Sequence, residues 1–263
     1  MFNFCSLYSG SSGNSLFVQT DNTKILVDAG ESAKKIETAL NSIDVKINDI
    51  DAVIVTHEHS DHIKGLSTIS KKFDIPIYAN KETWDAMPQV AEKTKNQNLF
   101  NVNEKFEIGD LKIVPFSIPH DAANPCGFNI FYNNQKISIA TDIGHIDKKI
   151  IKNLEESSFI LLESNYDPNI LSYSKYPYSL KQRIAGPNGH LSNEAAGKTV
   201  SYLLNSGLKN VMLGHLSKEN NFPELAYKTV IDELCASNFD ENKIKIAVAS
   251  RSNPSEILNL EVS

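Results

Sequence analysis

Residues 56–62 read Thr-His-Glu-His-Ser-Asp-His, with three histidines and one aspartate at the spacing H-x-H-x-D-H. Neutral imidazole and carboxylate are ligands for divalent zinc, manganese or iron. Four such groups packed this closely in sequence are too many for a single ion to take. His57 and His59, two apart on an extended chain, point the same way. Asp61 and His62 lie past the bend and reach toward a second ion. A solvated turn with accidental histidines is the weaker reading, because the whole chain of 263 residues has only seven.

The remaining chemistry is scattered but placed alike. His120 follows an apolar run in Ile118-Pro119-His120-Asp121, and Asp142 and His215 end two further runs. His190 lies in Gly189-His190-Leu191-Ser192, just ahead of a helix. Taken singly, each histidine is better read as structural; the repeated placement at the end of a strand favours ligands. Glu163 ends a strand and suits either a cap or a partner to a ligand. His145, three residues after Asp142, reads more readily as structural than as a substrate contact.

The elements that position these residues follow from pattern. Strands are expected at 2–8, 14–20 and 24–27, the last ending at Asp28, and the turn at 9–15 has backbone amides to offer a phosphate. Ser32 caps a helix carrying Ile36, Ala39, Leu40 and Ile43. The apolar 51–55 is a buried strand that delivers the histidine cluster. Ile63, Leu66 and Ile69 then recur at helical spacing. Further strands are expected at 76–79, 106–108, 111–118, 127–132, 136–140, 158–163, 211–213 and 244–249. Ser192 caps one helix and Pro223 opens another. Strand ends are where open α/β architectures place their chemistry. Hairpins mixed with strand–helix units imply two sheets with helices outside. No repeat or linker interrupts the chain, so residues 1–263 are expected to form one domain.

Composition narrows the classes. Net charge is −6 and 41% of residues are apolar, so there is a core but no global basic field to attract nucleic acid. Three separated cysteines with no C-x-x-C exclude a disulfide framework and fit a reducing compartment. The start lacks a basic n-region, and no apolar run reaches the roughly 18 residues of a transmembrane helix. A cytoplasmic protein with no membrane partner is expected.

The motifs together resemble the metallo-β-lactamase-fold superfamily over nearly the whole chain. That resemblance implies an α+β, αββα four-layer sandwich, with two mixed β-sheets, helices on the outer faces and a metal site at one edge. It implies two divalent ions per chain, Zn2+ or Mn2+. His57, His59 and His120 would hold one, Asp61, His62 and His215 the other, and Asp142 would bridge. Asp28 would buttress the ligands from behind. Aspartate at the bridging position departs from the true β-lactamases, which commonly use cysteine or lysine there, and argues against antibiotic hydrolysis. The stretch from Asp142 to His215 is too short for the extra domain of the β-CASP nucleases.

Three segments also resemble the YycJ/WalJ-like subgroup: Ser9 to Ser15, Gly189 to Ala196, and Leu213-Gly214-His215-Leu216-Ser217. This implies a metal-dependent phosphodiester hydrolase, a 5′-to-3′ DNA exonuclease linked to DNA repair. His190 is similar to the proton-donor histidine of tRNase Z, with Glu163 as its partner. Asp61 would orient the attacking water.

Asn14, Tyr176, Lys181 and Arg251 are the candidate substrate contacts. Tyr166, Tyr173, Tyr176 and Tyr178 lie among Lys175, Lys181 and Arg183. This aromatic and basic mixture suits single-stranded nucleic acid, or else a partly buried loop. Arg251 offers a bidentate grip on a terminal phosphate, or a surface ion pair. Three rivals stand beside the exonuclease: a hydrolase of a cyclic phosphodiester, lactone or thioester, an RNase, and a non-catalytic metal-binding regulator.

Overall fold

The strands that the apolar runs predict do form, with two unexpected ones at 97–99 and 258–259, in a computed structural model that describes residues 1–237 and 243–260. They are β1 (Phe2–Tyr8), β2 (Ser15–Thr20), β3 (Lys24–Val27), β4 (Ala52–Ile54), β5 (Ile77–Ala79), β6 (Gln97–Leu99), β7 (Phe106–Ile108) and β8 (Leu111–Ser117). The later ones are β9 (Cys126–Tyr132), β10 (Gln135–Ala140), β11 (Phe159–Glu163), β12 (Asn210–Gly214), β13 (Lys245–Val248) and β14 (Leu258–Asn259). They make two seven-stranded sheets, ordered β14-β1-β2-β3-β4-β5-β6 and β13-β12-β11-β10-β9-β8-β7. Both are mixed. β1 to β3 and β7 to β9 pair antiparallel; β3 to β6 and β10 to β13 pair parallel.

The helices are α1 (Ala33–Asn41), α2 (Ser60–Ile63), α3 (Leu66–Phe73), α4 (Lys81–Ala86), α5 (Pro88–Ala91), α6 (Lys148–Leu154), α7 (Pro168–Tyr173), α8 (Tyr178–Ile184), α9 (Asn193–Leu204) and α10 (Pro223–Ala236). None is long and apolar enough to cross a membrane. The chain falls into two compact units: residues 1–117, 122–135 and 250–263, and residues 118–121 with 136–249.

In the first unit Leu26, Val53 and Ile77 of the sheet join Ile36, Leu40, Leu66, Ile69 and Trp84 in one buried cluster. Each such side chain contributes about 1.5–3 kcal/mol on burial. Ser32 caps α1, its side chain accepting from the Lys35 amide. The single helix expected after the histidine cluster is two, α2 and α3. The break falls at Gly65, whose amide donates to the Ala29 carbonyl at 2.8 Å. A Cβ there would come within 2.4 Å of the Glu31 carbonyl oxygen, so the two loops can touch only at glycine.

In the second unit α9 and α10 pack closely. A Cβ on Gly197 would come within 2.7 Å of the Glu233 Cβ and 3.2 Å of the Val230 Cα. The tyrosine-rich stretch, open on sequence between a nucleic-acid contact and a partly buried loop, forms α7 and α8. Asp167 caps α7, accepting from Asn169 and Ile170, and Pro168 occupies its first turn.

Lys136, the second residue of β10, is buried, its Nζ donating to the Asn153 carbonyl at 2.6 Å and the Glu155 carbonyl at 2.7 Å. It thus closes the carboxyl end of α6. Burial pulls the ammonium down to about 8, with Glu156 and Glu155 opposing. Lys136→Met should lower stability by about 2 kcal/mol, since it strands two carbonyls that accept from a charged donor. Urea unfolding measures this; an unchanged midpoint would mean that water replaces the ammonium.

Candidate metal centre

Parallel register lines up the strand ends in each unit. In the first, Val27 lies opposite Ile54, so Asp28 falls beside the Val55-Thr56 exit. In the second, Ala140 faces Leu162 and Leu162 faces Leu213, which sets Asp142, Ser164 and His215 along one edge. Asp28, Asp142 and His215 all turn the chain through left-handed backbone, with φ of +62°, +58° and +55°. Such conformations are unfavourable for residues with a Cβ and cluster at functional sites.

In the first unit Asp28 is buried and its carboxylate is fully engaged. Oδ1 accepts from the Thr56 amide at 2.9 Å, and Oδ2 accepts from the Thr56 hydroxyl at 2.8 Å and from His62 Nδ1 at 2.7 Å. The proton of His62 is therefore held on Nδ1, and Nε2 faces the other way. Thr56 Oγ1 also lies 3.0 Å from His57 Nδ1. The His57 ring centroid is 4.6 Å from that of His59 and 4.1 Å from that of His62. His62 Nε2 is 3.6 Å from Asp61 Oδ2. Asn14 ties the set together, its Nδ2 lying 3.3 Å from Asp61 Oδ2 and 3.0 Å from His62 Nε2. Its backbone amide donates to the Asp61 carbonyl at 2.8 Å. Gly30 permits this crossing, because a Cβ there would sit 1.6 Å from the Asp61 oxygen.

In the second unit the centre of the arrangement is Asp142 Oδ1. His120 Nε2 lies 3.7 Å away, His215 Nε2 3.6 Å and His190 Nδ1 3.7 Å. These spacings are too long for hydrogen bonds. Those of His120 and His215 resemble the roughly 3.4 Å between two donors that each stand about 2.0–2.1 Å from one tetrahedral ion. The Nδ1 nitrogens of all three rings are anchored. His120 Nδ1 donates to the Gly189 carbonyl at 3.1 Å. His190 Nδ1 and His215 Nδ1 both meet Glu163 Oε1 at 2.8 Å. Glu163 Oε2 accepts from the amides of Ile143 at 2.7 Å and Leu191 at 3.1 Å. The donor atoms of Asp142, Glu163, His190 and His215 all lie within 4.8 Å of one another. This donor set, imidazole nitrogens around a buried carboxylate, fits a divalent cation.

The charges agree with that. Burial alone would raise the Glu163 pKa, but contact with His190 and His215 outweighs it and holds the carboxyl below its usual value. Burial pulls the His190 imidazole down; the charge and hydrogen bond of Glu163, with Asp142, more than offset this, so it lies above its ordinary value. Burial pushes the His120 imidazole down.

The structure thus gathers His57, His59, Asp61 and His62 with Asp28 and Asn14, and His120, Asp142, His190 and His215 with Glu163. The other candidate contacts are placed differently. Lys181 Nζ donates to the Ser172 carbonyl at 2.7 Å, and Arg183 Nε to Asp121 Oδ2 at 2.5 Å. Tyr176 and Arg251 are half-buried. Tyr166 is buried, whereas Tyr173 and Tyr178 are 90% and 75% exposed. Two participants have no expectation from sequence. Thr56 bridges Asp28 and His57, and its only signal is its place directly before the histidine cluster. Asn165, whose Nδ2 donates to the His215 carbonyl at 2.7 Å, carries no local signal.

This fold and donor set are those of a metal-dependent hydrolase. The family described as Beta-lactamase superfamily domain matches residues 23–215, and the chain belongs to it. Two curated relatives are each 38% identical over 90% of both chains: Exodeoxyribonuclease YycJ of Bacillus anthracis and Exodeoxyribonuclease WalJ of Streptococcus pneumoniae serotype 2. Among solved structures, the metallo-β-lactamase fold protein YhfI of Bacillus subtilis superposes with a TM-score of 0.71 at 16% identity. That match covers 97% of this chain and 100% of YhfI, and it shows the fold.

Proposed function

We propose that this chain hydrolyses phosphodiester bonds of DNA from the 5′ end, in DNA repair in the cytoplasm, with both ligand sets serving one two-ion centre. Residues 1–263 act as one catalytic domain in this reading, since the family match runs through both compact units. His57, His59 and His120 hold one divalent ion, Zn2+ or Mn2+, Asp61, His62 and His215 the other, and Asp142 joins the two. Bound there, two such ions supply a nucleophile at neutral pH and neutralise charge on the phosphoryl oxygens.

The chain's own residues do the rest. Asp61, steadied by Asn14, orients the attacking water. Glu163 holds His190 by Nδ1, which leaves Nε2 to give a proton to the leaving 3′ oxygen. This pair is the observation that carries the reading. A sugar alkoxide is a poor leaving group and needs a proton, whereas a thiolate does not. The two exodeoxyribonuclease relatives support DNA as the substrate. A net charge of −6 favours a second reading, hydrolysis of a small cyclic phosphodiester, lactone or thioester.

Incubating the protein with 5′- and 3′-labelled DNA and RNA, with zinc or manganese, separates the readings. Stepwise loss from the 5′ end of DNA is expected. Turnover of small esters alone would replace this reading with the second, and equal cleavage of RNA would remove DNA as the preferred substrate.

Asp28→Asn should weaken metal affinity about 10–100-fold, as loss of a ligand's hydrogen-bond partner commonly does. Asparagine tolerates the left-handed backbone at this position, so the fold should survive. Competition with a chromogenic chelator reads the affinity. An unchanged value would show that His62 is oriented without Asp28.

A further inference from the structure

The second unit carries an open cleft of about 390 Å3, lined by His190 and by residues that no step above uses. That volume lies within the range of small-ligand sites. One wall is the face of α9 bearing Ala195, Lys198, Thr199 and Tyr202, spaced three and four apart. The opposite face of the helix buries Ala196, Val200 and Leu203. Lys198 is exposed, and Tyr202 is 55% exposed although large and aromatic. Across the cleft stands the loop after Asp142. Gly144 passes so close to residue 187 that a Cβ would come within 2.2 Å of the Pro187 carbonyl oxygen. That approach sets His145 on the cleft, its Nδ1 donating to the same carbonyl at 2.8 Å and its Nε2 left for a ligand. One cation, one imidazole and one exposed ring therefore line a space that also reaches the proposed proton donor.

We infer that this cleft seats the 5′-terminal nucleotide of the strand being degraded. Its 5′-phosphate meets Lys198 and His145, and its base lies against Tyr202. The inference rests on the phosphodiesterase reading and gives it an end specificity. The nucleotide whose 3′ oxygen takes the proton from His190 must lie on the His190 side of the scissile phosphate, which is where the cleft opens. In the step, water oxygen bonds to phosphorus as the bond from phosphorus to the 3′ oxygen breaks. The electron pair and the His190 proton go to that oxygen, and the water's own proton returns to the solvent or to the site. The products are a nucleoside 5′-monophosphate with a free 3′-hydroxyl and a shortened strand with a new 5′-phosphate. Each turnover so regenerates the end group that the cleft recognises.

Calorimetric binding of deoxyadenosine 5′-monophosphate to the full metal-loaded chain tests this without turnover. It should bind about tenfold more tightly than the 3′-monophosphate, and Lys198→Ala should abolish most of that preference. Tyr202→Ala should weaken the nucleotide about tenfold, within the range for base stacking, and leave inorganic phosphate unchanged. Lys228→Ala, at an exposed position of α10, is the control. Equal binding of the two monophosphates, or normal binding by both cleft variants, would overturn the assignment and show a nucleotide held by the metal alone. If the cleft variants lose the nucleotide but no nucleic acid is hydrolysed, the cleft stands and the nuclease reading falls. If DNA is degraded and the variants bind normally, the reverse holds.

Discussion

His190→Ala is expected to keep its full metal content while losing about two to four orders of magnitude in kcat on DNA. In the proposed two-ion reading His145 and His190 are the histidines that hold neither ion, and of the two it is His190 that Glu163 grips. Its Nδ1 lies 2.8 Å from a Glu163 oxygen, and its side chain is 21% exposed where His215 and His120 are each only 1% exposed. A buried carboxylate thus fixes the tautomer of a ring that substrate can reach. The defect should shrink on bis-p-nitrophenyl phosphate, whose leaving group departs without a proton. A metal ligand would behave otherwise, because its loss empties a site and harms both substrates alike. Loss of one ion in the variant, or an equal defect on both substrates, would remove His190 from the role of general acid.

Asp142→Asn should cost on the order of 10³-fold in kcat, the upper end for deleting one preorganised electrostatic group. Three imidazole nitrogens surround the Oδ1 of Asp142 at 3.6–3.7 Å, and the residue sits at φ +58°. Asparagine keeps the volume and tolerates the left-handed backbone, so the change isolates the charge. The far-ultraviolet dichroism and thermal midpoint should match the parent, while metal content falls. Near-normal turnover with full metal content would show that Asp142 does not join the two ions.

Much of the candidate metal centre was legible because its proposed ligands end apolar, β-branched runs. His57 to His62 follow β4 directly, and Asp28, Asp142 and His215 each follow a strand that pattern alone picks out. Partners outside such runs were not legible in the same way. Nothing near Asn14 in sequence signals its contact with Asp61 and His62, since the loops meet only through the close crossing at Gly30. Glu163 could be paired with His190 by resemblance, but not with His215, because one oxygen serving two rings depends on parallel register between β11 and β12. Among the elements, α8 escaped because it buries no residue and has no capping side chain, so no periodicity marks it. For α7 the signal was present in Asp167-Pro168, a capping residue followed by a proline suited to a first turn. β14 is two residues long and pairs with β1 from the far end of the chain, which no local pattern could reveal.

The most direct test is to strip the protein of metal and add back zinc or manganese in known equivalents while following release of nucleotide from 5′-labelled DNA. Activity is expected to stay low through the first equivalent, rise with the second and level off at two ions per chain, with mononucleotide as the labelled product. Full activity at one equivalent, or no release of nucleotide at any loading, would contradict a two-ion centre acting on phosphodiester bonds.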